Sequence, residues 1–449
     1  MTDLSLLKTC ELHVHTGGCI YAEDLLDLGR EIYDRVDWHL YIDTYEKAFG
    51  IRPDPVALFA DALSGEDEGL ERLRRHFVVG EEDAGDFGRF QAKFNMAICL
   101  YRYWYQILGR EEEIVRRILE RHRAEGLHYV EYRAMAPYDA DDPENFAAFH
   151  LQTARAIRAA CTSSFAARYI ISLPRWNPLP TYRLVQSLLD QHPELIPTVV
   201  GLDFCFFEEG YPPESTRPFF EQLQRDNERR PESALEVVYH VGETYFDKSL
   251  ESAVRWCHEA AELGSRRLGH ATALGLDPEV AVSRRPDAHV VEPVCERLDQ
   301  IVYDLKHRDA LETYGVEISI AELEKERGDL ERLSADATID RPYTSERLEQ
   351  IRRRQTFVLD RLAKLGTVIE TCPTSNLRIG GVPAPEHHPI HRFLASSVDL
   401  AIGADDPGIF DSPLAAEVDW IVEHTELSAT ELAHRLGDPH RFHLSAVRT

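Results

Sequence analysis

The stretch Cys-Glu-Leu-His-Val-His, residues 10–15, decides how the rest of the chain is read. His13 and His15 stand two apart, and on an extended strand residues two apart point the same way, so both imidazoles lie on one face. Two imidazoles so placed can reach one metal ion. A pair of this kind is informative only in company, and three further groups supply it.

Working outward, short β-branched runs recur between longer amphipathic stretches, the alternation expected of βαβ units around a parallel sheet. Eight candidate strands lie at 10–15, 128–133, 169–173, 199–204, 237–240, 267–270, 367–371 and 400–404. Residues 345–365 form a clear helix, with Leu348, Ile351, Phe357, Leu359 and Leu362 on one side, a serine at its start and Gly366 past its end. This pattern predicts an α/β chain, a (β/α)8 TIM barrel forming one domain over residues 1–449. Two spacings exceed a minimal barrel. About 20–125, after the first strand, is expected to be a lid over the barrel mouth. About 280–362, between the sixth and seventh strands, is a second insertion whose 328–341 portion is polar and turn-rich.

Composition narrows the classes. With 50 Lys+Arg against 78 Asp+Glu, the formal net charge of -28 argues against nucleic-acid and anionic-membrane surfaces. No apolar run has the length of a signal core or a membrane span, so a cytoplasmic protein is expected. The eight cysteines are scattered without a Cys-x-x-Cys pair, which favours reduced, mostly buried thiols. Nothing in the sequence specifies the oligomeric state.

Three more groups fall at the C-terminal ends of candidate strands, where barrel enzymes build their sites. His240-Val241-Gly242-Glu243 supplies a third imidazole and a nearby proton carrier. Leu268-Gly269-His270 supplies another strand-end histidine. In Asp405-Asp406-Pro407 adjacent carboxylates must point in different directions, so one can bind metal while the other faces a substrate. Each group alone also reads as a structural histidine or a turn with an N-cap. Coincidence must account for all four, in strand order.

Other motifs are set aside. His258-Glu259-Ala260-Ala261-Glu262 begins like a helical zinc-protease motif but has Glu262 where a second histidine is required, and reads as a solvated helix face. His387, His388 and His391 cluster away from any strand end. Arg133 and Arg175 sit near strand ends, where either an anionic substrate or barrel ion pairs would explain them. The cytidine-type deaminase pattern, the phosphate-binding Gly-x-x-x-x-Gly-Lys loop and the Gly-x-Ser-x-Gly elbow are all absent.

The ordered set Glu-Leu-His-Val-His (11–15), Phe-Gln-Ala-Lys-Phe (90–94), Tyr-Val-Glu-Tyr-Arg (129–133), His-Val-Gly-Glu (240–243), Leu-Gly-His (268–270), Cys-Pro-Thr-Ser-Asn (372–376), His-Pro-Ile-His-Arg-Phe (388–393) and Asp-Asp-Pro (405–407) resembles the adenosine deaminase family of the amidohydrolase superfamily. The resemblance implies one zinc ion per chain, held by His13, His15, His240 and Asp405, whose Lewis acidity brings the pKa of a water toward neutrality. It implies that His270 orients and deprotonates that water, that Glu243 protonates the ring nitrogen beside the attacked carbon, and that Asp406 holds a second ring nitrogen or the attacking oxygen. The expected substrate is a small purine-like molecule, adenosine or an adenosine-like nucleoside or base, that loses ammonia. Another aminated heterocycle or amide on the same centre, or a non-catalytic binding barrel, are the alternatives.

Two substrate-binding positions depart from the family pattern. Where the family follows His-x-His with an Asp that contacts ribose, this chain has Thr16, Gly17 and Gly18. Where the family has a small Gly after the fourth strand, Phe206 stands, and its ring is expected to fill part of the space that Gly leaves open to a ligand.

Overall fold

The computed structural model describes residues 4–444 apart from 66, 139, 286–288, 335, 336 and 380. Eight parallel strands form a (β/α)8 barrel: β1 (Cys10–His15), β2 (Tyr129–Ala134), β3 (Ala166–Ser172), β4 (Val199–Phe204), β5 (Glu236–Val241), β6 (Arg267–His270), β9 (Val368–Thr371) and β10 (Asp399–Ile402). They are the eight runs expected from the sequence, with ends shifted by three residues at most. Their β-branched and aromatic residues suit strands buried on both faces, and β2, β4 and β9 are buried at every position. Helices follow the strands and cover the outside.

The barrel closes between its first and last strands. Asp405 N–H donates to the His13 carbonyl and His15 N–H to the Asp405 carbonyl, both at 2.9 Å. Lower in the barrel, fully buried Arg133, Arg267, Glu131 and Glu370 form a chain of ion pairs. Arg133 is thus a barrel ion-pair residue.

Between β1 and β2 the helices Ala22–Gly29, His39–Phe49, Pro55–Leu63, Asp67–Phe77 and Phe87–Arg102 precede Glu111–Ala124, which leads into β2. In Phe87–Arg102 the first turn is capped by the Asp86 side chain, which accepts from Arg89 N–H. Its Lys93 is buried against Asp83 at 2.5 Å.

The second insertion contains a unit that the sequence reading did not resolve. An antiparallel pair, β7 (His289–Pro293) and β8 (Thr338–Pro342), carries the helices Val294–Lys306 and Ile320–Leu330. Val294, Ile301 and Leu330 form a small core of their own. The turn-rich 328–341 stretch ends one of these helices and enters β8. Helix Ser345–Leu365 then returns to the barrel; Thr344 caps it by accepting from Arg347 N–H, and Gly366 ends it at φ 70°.

One expectation is corrected here. Residues 258–262 are not a solvated helix face: His258 is fully buried and Glu259 nearly so, because helix Leu250–Leu263 is packed between the barrel and the helices Val294–Lys306 and Ser345–Leu365. All eight cysteines are free, five of them buried. Among the described residues no helix is long and apolar enough to cross a membrane.

Candidate active site

The strand ends bring the predicted groups together. His13 and His15 close β1, His240 lies one residue from the end of β5, His270 ends β6, and Asp405 and Asp406 follow β10. Four non-glycine residues around this mouth hold left-handed backbone: Phe206 (φ 74°), His270 (64°), Ala271 (47°) and Asp405 (62°). Such conformations cost roughly 1–3 kcal/mol each and persist only where surrounding structure enforces them. At Asp405 the two seam hydrogen bonds provide the enforcement.

The His13 and His240 Nε2 atoms lie 3.1 Å apart, and His15 Nε2 lies 3.1 Å from His240 Nε2. Asp405 Oδ1 stands 3.5 Å from His13 Nε2 and 3.4 Å from His15 Nε2. The far side of each ring explains why this cluster fits a cation. His13 Nδ1 donates to Glu370 at 2.8 Å and His240 Nδ1 to Asp203 at 3.0 Å. With hydrogens on Nδ1 held by the two carboxylates, the Nε2 atoms face one another across a gap that takes one proton or one metal ion. Ligand atoms of His13, His240, His270 and Asp405 fall within 4.8 Å of each other, and His15 adjoins this set through His240 and Asp405. Nitrogen donors with one carboxylate suit zinc and similar divalent ions.

Glycines make this packing possible. A Cβ at Gly269 would stand 2.9 Å from His13 Cε1 and 3.2 Å from His240 Cδ2. At Gly18 it would fall 1.8 Å from Asp406 Oδ1 and 2.4 Å from Asp406 Cβ.

Electrostatics separate the two adjacent acids. Burial works against ionisation of Asp405, yet His13, His270 and His15 hold its carboxyl well below the ordinary range. Burial, then the charges of Asp405 and Glu243, push Asp406 well above that range. Asp406 Oδ1 is buried without a hydrogen-bond partner. Glu243 is likewise raised by burial, and its Oε1 lies 3.7 Å from His270 Nε2. His270 Nδ1 is held by Asn376 Oδ1 at 3.0 Å.

These groups open into a cavity of about 590 Å³ whose far wall is the helix Phe87–Arg102, with Phe87, Phe90, Phe94 and Tyr101 facing inward. Gly17 and Phe206 both line it, Phe206 from an exposed position at the rim. Arg175 also borders it, but its guanidinium donates to the carbonyls of Phe204 and His240.

The sequence reading missed the residues that aim these groups. Asp203 and Glu370 orient His240 and His13; Ser375 donates to Asp405 Oδ2 at 2.6 Å; Glu208 accepts from the Gly242 and Thr244 amides at 3.0 and 2.7 Å and so holds the loop carrying Glu243. His388, from the cluster set aside, accepts from Ile390 N–H at Nδ1 and places Nε2 3.3 Å from the Asn376 side chain, so it stands behind the residue that holds His270. Asp203 and Glu370 sit in strands that otherwise read as hydrophobic, and that was the available signal: an acid inside a buried strand needs a partner.

Comparisons with known proteins agree with this geometry. Residues 349–437 match the adenosine deaminase family, the segment that contains Glu370, Asn376, Asp405 and Asp406. An adenine deaminase of Rhizobium leguminosarum is 39% identical over 75 residues, 17% of this chain and 23% of that protein. The aligned stretches span less than a quarter of the length of the first curated relatives matched. Among solved structures, an adenine deaminase from Arthrobacter aurescens superposes with a TM-score of 0.53 at 16% identity, over 98% of this chain and 94% of that one. An amidohydrolase from Burkholderia ambifaria with bound Zn gives 0.53 at 13% identity, over 98% and 86%. Over residues 349–437 the chain is thus similar to the adenosine deaminase family, and its barrel shares the fold of these solved deaminase and amidohydrolase structures.

Proposed function

We propose that the chain hydrolyses an aminopurine to the oxo-purine and ammonia, using one zinc ion held by His13, His15, His240 and Asp405. The observation that carries this reading is the pair of Nε2 atoms of His13 and His240 that face one another at 3.1 Å, their Nδ1 atoms on Glu370 and Asp203, beside a buried Glu243. A bound divalent cation supplies Lewis acidity and so makes a water nucleophilic at neutral pH.

The chain's own groups do the rest. His270, with Nδ1 fixed by Asn376, turns Nε2 toward the mouth and takes the proton of the attacking water. Glu243, whose hold on a proton burial strengthens, gives that proton to the ring nitrogen next to the attacked carbon, which makes that carbon electrophilic. The unpartnered Asp406 Oδ1 is free to hold a second ring nitrogen or the incoming oxygen. The amino group then leaves with the proton His270 has gained. The phenyl rings of the lid suit a flat heterocycle. Gly17 offers no carboxylate to a ribose and Phe206 narrows the rim, which favours a base or modified nucleoside over adenosine.

The test is ammonia release by zinc-replete protein from adenine, adenosine, deoxyadenosine, a 6-modified adenine, adenosine monophosphate and guanine. Activity on at least one is expected, and Glu243→Gln should lower it roughly 10²–10⁴-fold with metal content unchanged. Silence across the panel, or a Glu243→Gln protein of full activity, overturns the reading.

A further inference from the structure

The helix segment that began like a protease motif holds a second cluster, outside the barrel. His258 and Glu262 lie four residues apart on helix Leu250–Leu263, and His307 follows helix Val294–Lys306 of the insertion. Their ligand atoms all lie within 4.8 Å of one another. The fully buried His258 turns Nε2 to 3.7 Å from Glu262 Oε1, and His307 turns Nε2 to 3.5 Å from Glu262 Oε2.

Two facts set this cluster apart from an ordinary hydrogen-bonded one. First, both Nε2 atoms are buried and neither has a hydrogen-bond partner, an expensive condition for two imidazoles. Second, the separations are those of co-ligands. Direct N–H···O bonds fall at 2.7–3.2 Å, whereas two donors each about 2.0–2.1 Å from zinc at tetrahedral angles stand roughly 3.3–3.4 Å apart. With its Nδ1 hydrogen given to the Tyr303 oxygen at 2.7 Å, His258 keeps its Nε2 lone pair for a cation, and Tyr303 serves as the outer partner that orients such a ligand. The remaining Cys/His cluster differs on this point. There His443 Nε2 is already satisfied at 3.0 Å by His440 and 3.4 Å by Cys10.

We propose that His258, Glu262 and His307 form a second divalent-metal site, separate from the barrel mouth, that takes zinc or a similar imidazole-preferring ion. Its role is structural: one ion would join the barrel helix Leu250–Leu263 to the insertion helix Val294–Lys306. Two imidazoles and a carboxylate leave a fourth position, which faces the part-exposed side of Glu262 and is open to water. The local competitor is Lys306, whose ammonium reaches Glu262 Oε2 at 2.9 Å from a largely exposed position; a metal would displace it.

The experiment counts metal. Chelator-treated protein is reconstituted with Zn²⁺, dialysed, and analysed for zinc per chain as wild type, His307→Gln, Glu262→Gln and Asp405→Asn. The last removes a ligand from the mouth alone. His307→Gln and Glu262→Gln should each hold one equivalent less than wild type, whatever the mouth contributes, and Asp405→Asn should keep the equivalent that these two lose. Circular dichroism of the metal-free forms checks folding, which the part-exposed positions of His307 and Glu262 favour. Lys306→Met should tighten binding of this equivalent roughly two- to fivefold, the worth of an exposed ion pair. Equal zinc in wild type, His307→Gln and Glu262→Gln overturns the proposal and leaves the mouth assignment untouched.

Discussion

Replacing Gly18 by alanine tests whether Asp406 works where the structure holds it. The added methyl would sit 1.8 Å from Asp406 Oδ1, 2.3 Å from Cγ and 2.4 Å from Cβ. Rotating the carboxylate away does not relieve the clash, because the contact with Cβ remains. Ordinary contact begins near 3.4 Å, so the Asp406 backbone must retreat by about 1 Å. Asp405 beside it is tied to β1 by two hydrogen bonds and cannot follow freely. Gly18 does not hold left-handed backbone, so alanine itself is not strained there. A displacement of about 1 Å in a positioning group costs on the order of 10²-fold in rate, near 2.7 kcal/mol of transition-state stabilisation. Overpacking adds about 1–3 kcal/mol of lost stability. The assay is steady-state ammonia release on the best substrate of the panel, with zinc content and thermal midpoint measured on the same preparation. The expected result is a fall of about 10²-fold in kcat/KM with zinc retained. Activity within threefold of wild type would show that Asp406 has no role that depends on its position.

Asp203→Asn should weaken zinc at the mouth roughly 10–100-fold in a chelator competition, since it replaces the anionic acceptor that fixes His240 Nδ1 and strengthens the ring as a ligand by a neutral amide; unchanged affinity would mean His240 needs no anionic anchor. The third prediction concerns pH and stability. Glu111 lines the cavity at 5% exposure, its Oε2 has no partner, and burial raises its pKa to about 8 from 4.5. A carboxyl raised on folding contributes stability that is complete below pH 4.5 and is lost as pH rises through about 8. Glu111→Gln should therefore raise the thermal midpoint relative to wild type at pH 8 but not at pH 4.5. A difference that does not change with pH would refute the argument.

Much of the fold was legible because its signal is local. Eight buried β-branched runs and their intervening helices follow from residue type and period, and four site motifs fall at strand ends where a parallel barrel must expose them. What escaped depends on contacts distant in sequence. Glu370 and Asp203 orient His13 and His240 across 357 and 37 residues; the apolar strand around each acid marks it as paired but does not name its partner. Helix Leu250–Leu263 looked solvated because His258 and Glu262 are polar; its outer face is covered by helices contributed by the insertion, which helix periodicity does not reveal. Phe206 was expected to fill part of the space that a glycine leaves open, and it lines the cavity from the rim, its backbone left-handed where glycine would be at ease.

The seam between β1 and β10 has a consequence for how the protein is made. His15 and Asp405 meet there, so closing the barrel and assembling the ligand set are one event. During synthesis at about 5–20 residues per second, β1 leaves the ribosome roughly 20–80 s before its last neighbour exists. Throughout that interval one edge of the sheet has no partner, and the ligand set proposed for the mouth lacks Asp405. Contacts this distant in sequence also form slowly. The edge of β1 is therefore exposed to wrong pairings for that window, and the activity proposed for the mouth waits until the circle of strands is closed.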